Sequence, residues 1–223
     1  MSALANKRGA FILFEGIDRC GKTTQTKLLS DYLQTSRGAS STTELIRIPN
    51  RESNIGQLIN SYLASASNMN DNTIHLLFSA NRWEASTEME TKLLAGTNLI
   101  CDRYCYSGVA FSSAKGVKSM DFDWCKSCDR GLIAPDCVIY LDMPVEEAAQ
   151  RGSYGEERYE KIDFQLKVRE KFMALKNEDE GRLPWYTLDA RKSIDELKGE
   201  IQAIADKCID TVHDEQKELK RMW

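Results

Sequence analysis

Gly9-Ala-Phe-Ile-Leu-Phe-Glu-Gly-Ile-Asp-Arg-Cys-Gly-Lys-Thr23 is the stretch on which the reading of this chain turns. From Gly9 to Phe14 it is a short continuous apolar run, the pattern of a strand buried on both faces of a parallel sheet. The run ends in a glycine-rich turn, and Gly16 to Thr23 matches G-x-x-x-x-G-K-[ST]. Beyond the turn Leu28, Leu29, Tyr32 and Leu33 recur at helical spacing, so the motif has the strand-turn-helix context that a phosphate-binding loop requires. Glycines let backbone N–H groups point at phosphate oxygens, and the helix N-terminus adds positive potential. Lys22 then reaches the β and γ phosphates, and Thr23 is placed to ligate Mg²⁺. The chain is expected to bind a nucleoside triphosphate. The loop alone does not separate a kinase from a GTPase, an ATPase motor or a regulatory nucleotide-binding module.

Working outward, apolar runs near Leu45 to Ile48, Asn98 to Cys101, Cys137 to Leu141 and Trp185 to Leu188 read as further strands, the second and third of these central in the sheet. Helical periodicity falls between them, at Ile55–Leu63, about Asn72–Leu94, Val145–Gln150, Tyr159–Asn177 and Ile194–Val212. Thr35 to Ser41 breaks the first helix, Pro49 stops the second strand, and Gly96 ends the long helix as a C-cap. Strands separated by helices imply right-handed crossovers. The expected fold is α/β, a three-layer, doubly wound, parallel five-stranded sheet. No repeat, low-complexity block or long linker interrupts the chain, so residues 1–223 are expected to form one domain. Gly152 to Gly155 reads as a hinged lid loop or a plain exposed one, and Asp214 to Trp223 as a helix extension or a tail without chemistry.

Composition sets limits. With 30 basic against 34 acidic residues, the net charge of -4 provides no global positive field for a nucleic-acid backbone, and a polymeric nucleic acid is not an expected partner. No apolar run approaches the ~18 residues of a membrane span. Lys7 and Arg8 precede too short an apolar run for a secretory leader. The seven cysteines follow no disulfide framework, which suits free thiols in the cytoplasm. Cys125 and Cys128 form a lone CxxC, and His75 and His213 are the only histidines, a poor basis for zinc or for histidine acid/base chemistry.

Several residues ask for a second duty. Asp18 and Arg19 place charges inside the phosphate loop, where Arg19 can stabilise the transferring phosphoryl group or point to solvent. Asp102-Arg103-Tyr104 follows a strand, at the edge where ligands of open α/β sheets gather. There Asp102 suits Mg²⁺ and Arg103 a phosphate, unless the two form a structural ion pair. Arg51, after Pro49, offers another cation at the same edge. Phe78 and Arg82 stand i, i+4 on one helix face; together they can hold a heterocyclic base, or serve as core and solvated charge. Arg151, Tyr154, Arg158 and Tyr159 surround the lid glycines.

The loop Gly16-x-Asp-Arg-x-Gly-Lys-Thr23, the stretch His75 to Glu84, and Asp102-Arg-Tyr-x-Tyr-Ser-Gly-Val-Ala-Phe111 together closely resemble the thymidylate kinase family. Pro135-Asp136 and Gly155-Glu-x-Arg-Tyr-Glu160 extend the likeness over about residues 8–190. The resemblance implies a homodimeric P-loop kinase fold that transfers the γ-phosphoryl group of ATP to dTMP with Mg²⁺, bound by Thr23 and Asp102. Another nucleoside monophosphate kinase, or a non-catalytic nucleotide-binding module, is the alternative. By the resemblance, Arg19 is the loop arginine of the eukaryotic and poxviral branch, with Glu156 and Glu157 in the lid instead of a catalytic arginine. The implied ATP set is Gly16, Arg19, Cys20, Gly21, Lys22, Thr23 and Thr24 of the loop, with Arg151, Arg191 and Lys192. The implied dTMP set is Asp18 at the sugar 3'-hydroxyl, Arg51 and Arg103 on the phosphate, Phe78 stacked on thymine and Arg82 at its carbonyl. Ser107 and Gly108 line the base pocket, and Tyr159 crowds the sugar 2' position. Asp18, Arg19, Lys22 and Arg103 are the implied catalytic group. A cytoplasmic enzyme is expected, with nuclear or mitochondrial fractions allowed.

Overall fold

Alternate side chains of a strand face opposite sides of a sheet, and in β1 (Phe11–Glu15) both sets are buried. Phe11 and Leu13 enter one core with Leu99, Cys101, Val138 and Tyr140. Ile12 and Phe14 enter a second with Ile100, Ile139 and Leu141. In the computed structural model, which describes residues 7–37, 42–152 and 154–223, β1 is the middle strand of five. The order is β2-β3-β1-β4-β5, with β2 (Thr43–Arg47), β3 (Asn98–Asp102), β4 (Cys137–Asp142) and β5 (Trp185–Asp189). Every pairing is parallel. The expectations for Met1 to Asn6, for Gly38 to Ser41 and for Ser153 lie outside the described residues.

Helices α1 (Lys22–Ser36) and α8 (Ile194–Asp214) supply Leu29, Leu33, Leu197, Ile201 and Ile209 to one face. On the other face, α3 (Asp71–Leu94), α4 (Cys105–Ser113) and α7 (Ile162–Glu178) contribute Met89, Leu93, Val109, Val168 and Phe172. Burial on both faces explains why the central strands read as continuous apolar runs instead of alternating ones. The three-layer, doubly wound arrangement is the expected one. Two short helices, α5 (Phe122–Ser127) and α6 (Val145–Ala149), and α2 (Asn54–Leu63), packed on α3, complete the set.

Periodicity misses α4 and α5. Seven of the nine α4 residues are buried, so it has no polar face against which an apolar stripe could stand out. A second difference is the start of α7, which lies at Ile162 and leaves Tyr159 in the preceding segment. His75, deep in α3, accepts at Nδ1 from Ser112 Oγ (2.7 Å), because its Nε2 must donate to the Cys125 carbonyl (3.1 Å). Burial above all pushes its pKa down to about 4, so it tethers helices as a neutral ring.

The C-terminal residues correct the expectation of a helix extension. Helix α8 stops at Asp214, and the chain runs back beside residues 131–134, pairing Ile133 with Arg221 in an antiparallel bridge. Met222 N donates to Leu132 O at 2.7 Å, and Ala134 N to Lys220 O at 2.8 Å. Arg8 holds the strap through the Lys217 carbonyl (2.5 Å) while forking onto Asp136 (2.8 and 2.7 Å). Asp136 also accepts from Phe11 N, which ties the strap to the start of β1. Met222 is 1% exposed within the first core. Met222→Ala is therefore expected to lower the unfolding free energy by about 2–3 kcal/mol in a urea titration; a change below ~0.5 kcal/mol would show the strap to be only a surface tail.

Candidate active site

Register decides what meets at the carboxyl edge of the sheet. Phe14 of β1 lies beside Asp102 of β3, so the loop after β1 and the residues after β3 emerge side by side. Gly16 must be glycine, because its φ is 147° and a Cβ would meet Leu141 O at 2.6 Å. Gly21, at φ 98°, caps α1 without a side-chain hydrogen bond, leaving the first-turn N–H groups to a ligand. Lys22 is buried, with Nζ folded back on the carbonyls of Ile17 (2.7 Å) and Gly16 (3.2 Å) and on Cys20 Sγ (3.4 Å).

Beside the loop, Arg103 donates to Gly16 O (3.0 Å) and Ser107 Oγ (2.9 Å), and forms an ion pair with Asp18. Its guanidinium lies over the Phe111 ring, 5.1 Å from the centroid. Gln165 fixes Asp18 from the other side, accepting from its backbone N–H (3.0 Å) and donating to Oδ2 (2.6 Å). Glu15, fully buried at the end of β1, accepts from Tyr104 N, Ser107 N and Ser107 Oγ. Burial raises its pKa, and Arg103 with these donors opposes the rise. A carboxylate from β1 thus caps α4.

The segment after α6 closes the phosphate side. Glu160 Oε2 accepts from the N–H groups of Gly155 (2.9 Å), Glu156 (3.0 Å) and Glu157 (3.2 Å), while Oε1 takes Arg19 Nε at 2.8 Å. Burial acts to raise the Glu160 pKa, but the Arg19 bond and these backbone donors outweigh it and the carboxyl sits below its ordinary value. Arg51 pairs with Glu157 at 2.7 Å. Arg151 donates to the carbonyls of Arg19 (3.2 Å) and Ala190 (2.9 Å). Arg158 turns away from the loop: it donates to Tyr62 O and Ser67 O and stacks on Tyr62.

In α3, Arg82 is a buried charge and not the solvated one that its helix allowed, forming a bidentate pair with Asp129. Tyr159 stacks on Phe164, with centroids 5.1 Å apart, and faces Phe111 at 5.7 Å.

One cleft of about 470 Å³ joins these parts. Of the residues singled out in the sequence, it is lined by Asp18, Arg19, Gly21, Lys22, Thr23, Thr24, Arg51, Phe78, Arg82, Asp102, Arg103, Ser107, Gly108, Arg151 and Tyr159. Gly16 and Cys20, though part of the loop, are outside this lining. Arg191 and Lys192 are also outside it, exposed and paired with Asp189 and Glu200. Tyr104, quoted with Asp102 and Arg103 but given no role, also lines the wall; sequence reasoning missed Arg47 there, and the supporting roles of Glu15, Gln165 and Asp129. Glu15 carried a signal, a charge closing a buried apolar strand; Gln165 and Asp129 carried none.

Thr23 Oγ1 donates to Asp102 Oδ2 at 2.8 Å, which brings a hydroxyl and a carboxylate to one point. Among the described residues no three His, Cys, Asp or Glu side chains form a metal cage. Such a donor pair fits Mg²⁺, which is commonly held by one or two carboxylates with substrate phosphates and water.

A five-stranded parallel sheet with this loop at the end of its middle strand defines a P-loop kinase fold. The family model for thymidylate kinase matches residues 14–201, and the chain belongs to that family. Similar relatives include thymidylate kinases of Arabidopsis thaliana, 48% identical over 97% of this chain and 78% of the relative, and of Homo sapiens, 41% identical over 99% and 100%. Among solved structures, thymidylate kinase from Candida albicans superposes with a TM-score of 0.82 at 34% identity, covering 97% of this chain and 99% of that one.

The Glu160 knot makes a testable claim. Glu160→Gln should raise amide hydrogen exchange at Gly155, Glu156 and Glu157 by tenfold or more, since charge-assisted bonds worth about 1.5–3 kcal/mol weaken. In the parent chain the folded pKa lies below 4.5, so this stabilisation is present above pH 4.5 and fades as pH falls through the folded value. Equal exchange in both proteins at pH 7 would contradict the assignment.

Proposed function

We propose that the chain transfers the γ-phosphoryl group of ATP to dTMP, giving dTDP and ADP, with Mg²⁺ bound through Thr23 and Asp102. The observation that carries this reading is the joining of the phosphate loop, Arg51, Arg103 and an aromatic pocket in one cleft of a thymidylate kinase family chain. The acceptor is a phosphate monoester whose second pKa is about 6, so its attacking oxygen is already deprotonated near neutrality. No general base is required, which suits a cleft with no histidine among the described residues that line it. The difficulty is to hold two anions in line, and the remedy is fixed positive charge.

In this reading the loop N–H groups from Gly16 to Thr24 and Lys22 hold the donor triphosphate. Arg19 faces the transferring group, and Thr23 and Asp102 would hold a Mg²⁺ ion that would offset negative charge on the donor phosphates. Arg51 and Arg103 clamp the acceptor phosphate, while Asp18, held by Arg103 and Gln165, is oriented for the sugar 3'-hydroxyl. Phe78 stacks on thymine, Arg82 reads its carbonyl beside Ser107 and Gly108, and Tyr159 crowds the 2' position. Arg151, with its hold on the Ala190 carbonyl, links the loop to Arg191 and Lys192 on the adenine side. Residues 151–160 act as the lid of a single domain. A cytoplasmic location and a homodimer complete the reading, the dimer supported by apolar side chains exposed on α2 and α3, among them Leu58 and Leu76 at 49% each.

An ADP-release assay across dTMP, dUMP, UMP, AMP and thymidine tests the substrate. The expected order is dTMP first, with measurable dUMP turnover, because one methyl in an apolar pocket discriminates by only ~1–3 kcal/mol; ATP binding without dTMP-dependent ADP release would overturn the reading. Arg19→Ala should lower kcat by roughly 10³-fold with little change in dTMP affinity. Arg51→Ala should instead raise the KM for dTMP about tenfold or more, and matching effects in both variants would refute the division of labour.

A further inference from the structure

Asp129 lies in the turn after α5 and takes no part in the cleft lining, yet it determines how Arg82 can meet a ligand. Its side chain is fully buried, and that of Arg82 is 2% exposed. Oδ1 accepts from Arg82 Nε (2.9 Å) and from Ser79 Oγ (2.8 Å); Oδ2 accepts from Arg82 Nη2 (2.7 Å). Two parallel bonds to one carboxylate fix the guanidinium plane. Gly108 of α4 closes the other side: a Cβ there would stand 2.7 Å from Nη2, 2.8 Å from Nη1 and 2.9 Å from Cζ. The group is therefore held at its Nε/Nη2 edge by a carboxylate and packed against bare backbone at Cζ, Nη1 and Nη2, and Nη1 makes no hydrogen bond among the described residues. A buried guanidinium with an unused N–H edge on a cleft is a built acceptor site.

We infer that Asp129 is a positioning residue for base recognition: by locking Arg82 with Nη1 toward the cleft, it makes the site favour a pyrimidine with a carbonyl there over one with an amino group. The inference rests on the dTMP reading above. A free arginine could swing aside for an amino group; a locked one leaves donor facing donor, and that mismatch is what rejects the wrong base. The pair also ties α3 to the α5 turn, as does Ser79, whose single hydroxyl proton is shared between Asp129 Oδ1 and the Cys128 carbonyl, each at 2.8 Å. A purely mechanical tie would alter stability without altering base preference.

The test compares dTMP and dCMP as acceptors for the full chain and for Asp129→Asn, with melting temperatures recorded alongside. In the variant, the KM for dTMP should rise about tenfold with kcat within roughly threefold, and the dTMP/dCMP ratio of kcat/KM should fall about tenfold. In an Arg82→Met background the same substitution should add nothing to the KM effect, because its action passes through Arg82. If Asp129→Asn does not fold, Ser79→Ala replaces it, with an expected KM increase of about threefold and unchanged kcat. A folded variant that keeps the parent KM and base ratio overturns the inference while leaving dTMP kinase activity in place. A parent chain that does not turn over dTMP overturns the proposed function instead.

Discussion

Among the described residues, six guanidinium groups and one ammonium line a single cleft against four carboxylates, in a chain whose net charge is -4. Like charges this close in a partly desolvated pocket repel unless each finds a counter-charge or a carbonyl. The structure meets that constraint for six of these seven cations, the seventh, Arg47, being exposed at the end of β2. Lys22 and Arg151 rest on backbone carbonyls. Arg103 pairs with Asp18 and Arg82 with Asp129, partners on the phosphate loop and in a buried turn. Arg19 and Arg51 pair with Glu160 and Glu157, which belong to the segment between α6 and α7. The division matters for phosphate chemistry. A phosphate arriving at Arg19 or Arg51 would compete with a carboxylate on that segment, whereas the partners of Arg103 and Arg82 lie on the phosphate loop and in a buried turn. Global acidity and a locally positive cleft coexist because the field that acts on a ligand is local.

The fold was legible where burial is symmetric and the chain punctuates it. The run Gly9 to Phe14, the glycines that follow and the apolar run at Cys137 to Leu141 declare buried parallel strands, and they occupy the middle of the sheet. Helix α4 was not legible, because Cys105, Tyr106, Val109 and Ala110 are buried around its circumference and leave no period to detect. The strap was not legible either: Asp214 to Trp223 is mostly charged and reads as a helix extension or a tail without chemistry. Its anchors, Met222 and the backbone groups facing residues 131–134, are invisible to a composition argument.

The cleft was legible in its cations and not in their partners. Arg19, Arg51, Arg82 and Arg103 stand in recognisable local contexts, beside a glycine turn, a strand end or an aromatic one helical turn away. Their carboxylates come from distant points of the chain or, for Asp18, from a loop where a different duty was expected. Glu160 lies 141 residues from Arg19 and Glu157 lies 106 from Arg51. No local pattern encodes such pairings; they follow from β1, β3 and α7 bringing their ends to one edge of the sheet.

Backbone geometry explains why two of these cations sit where they do. Arg19 and Arg103 both have left-handed backbones, with φ of 61° and 69°, a conformation that costs a non-glycine residue roughly 1–2 kcal/mol. Glycine would relieve the strain at either place and would remove the guanidinium. Instead each residue is over-determined. Arg103 is held by its own N–H on Phe14 O, by Gly16 O and Ser107 Oγ, and by Asp18. Arg19 is held by Glu160 and by Arg151 on its carbonyl. Strain that persists at two adjacent strand ends, each carrying a cation into one cleft, marks positions where charge placement outweighs local stability. Relaxing either backbone would turn a guanidinium away from the point where the phosphate loop and the end of β3 converge.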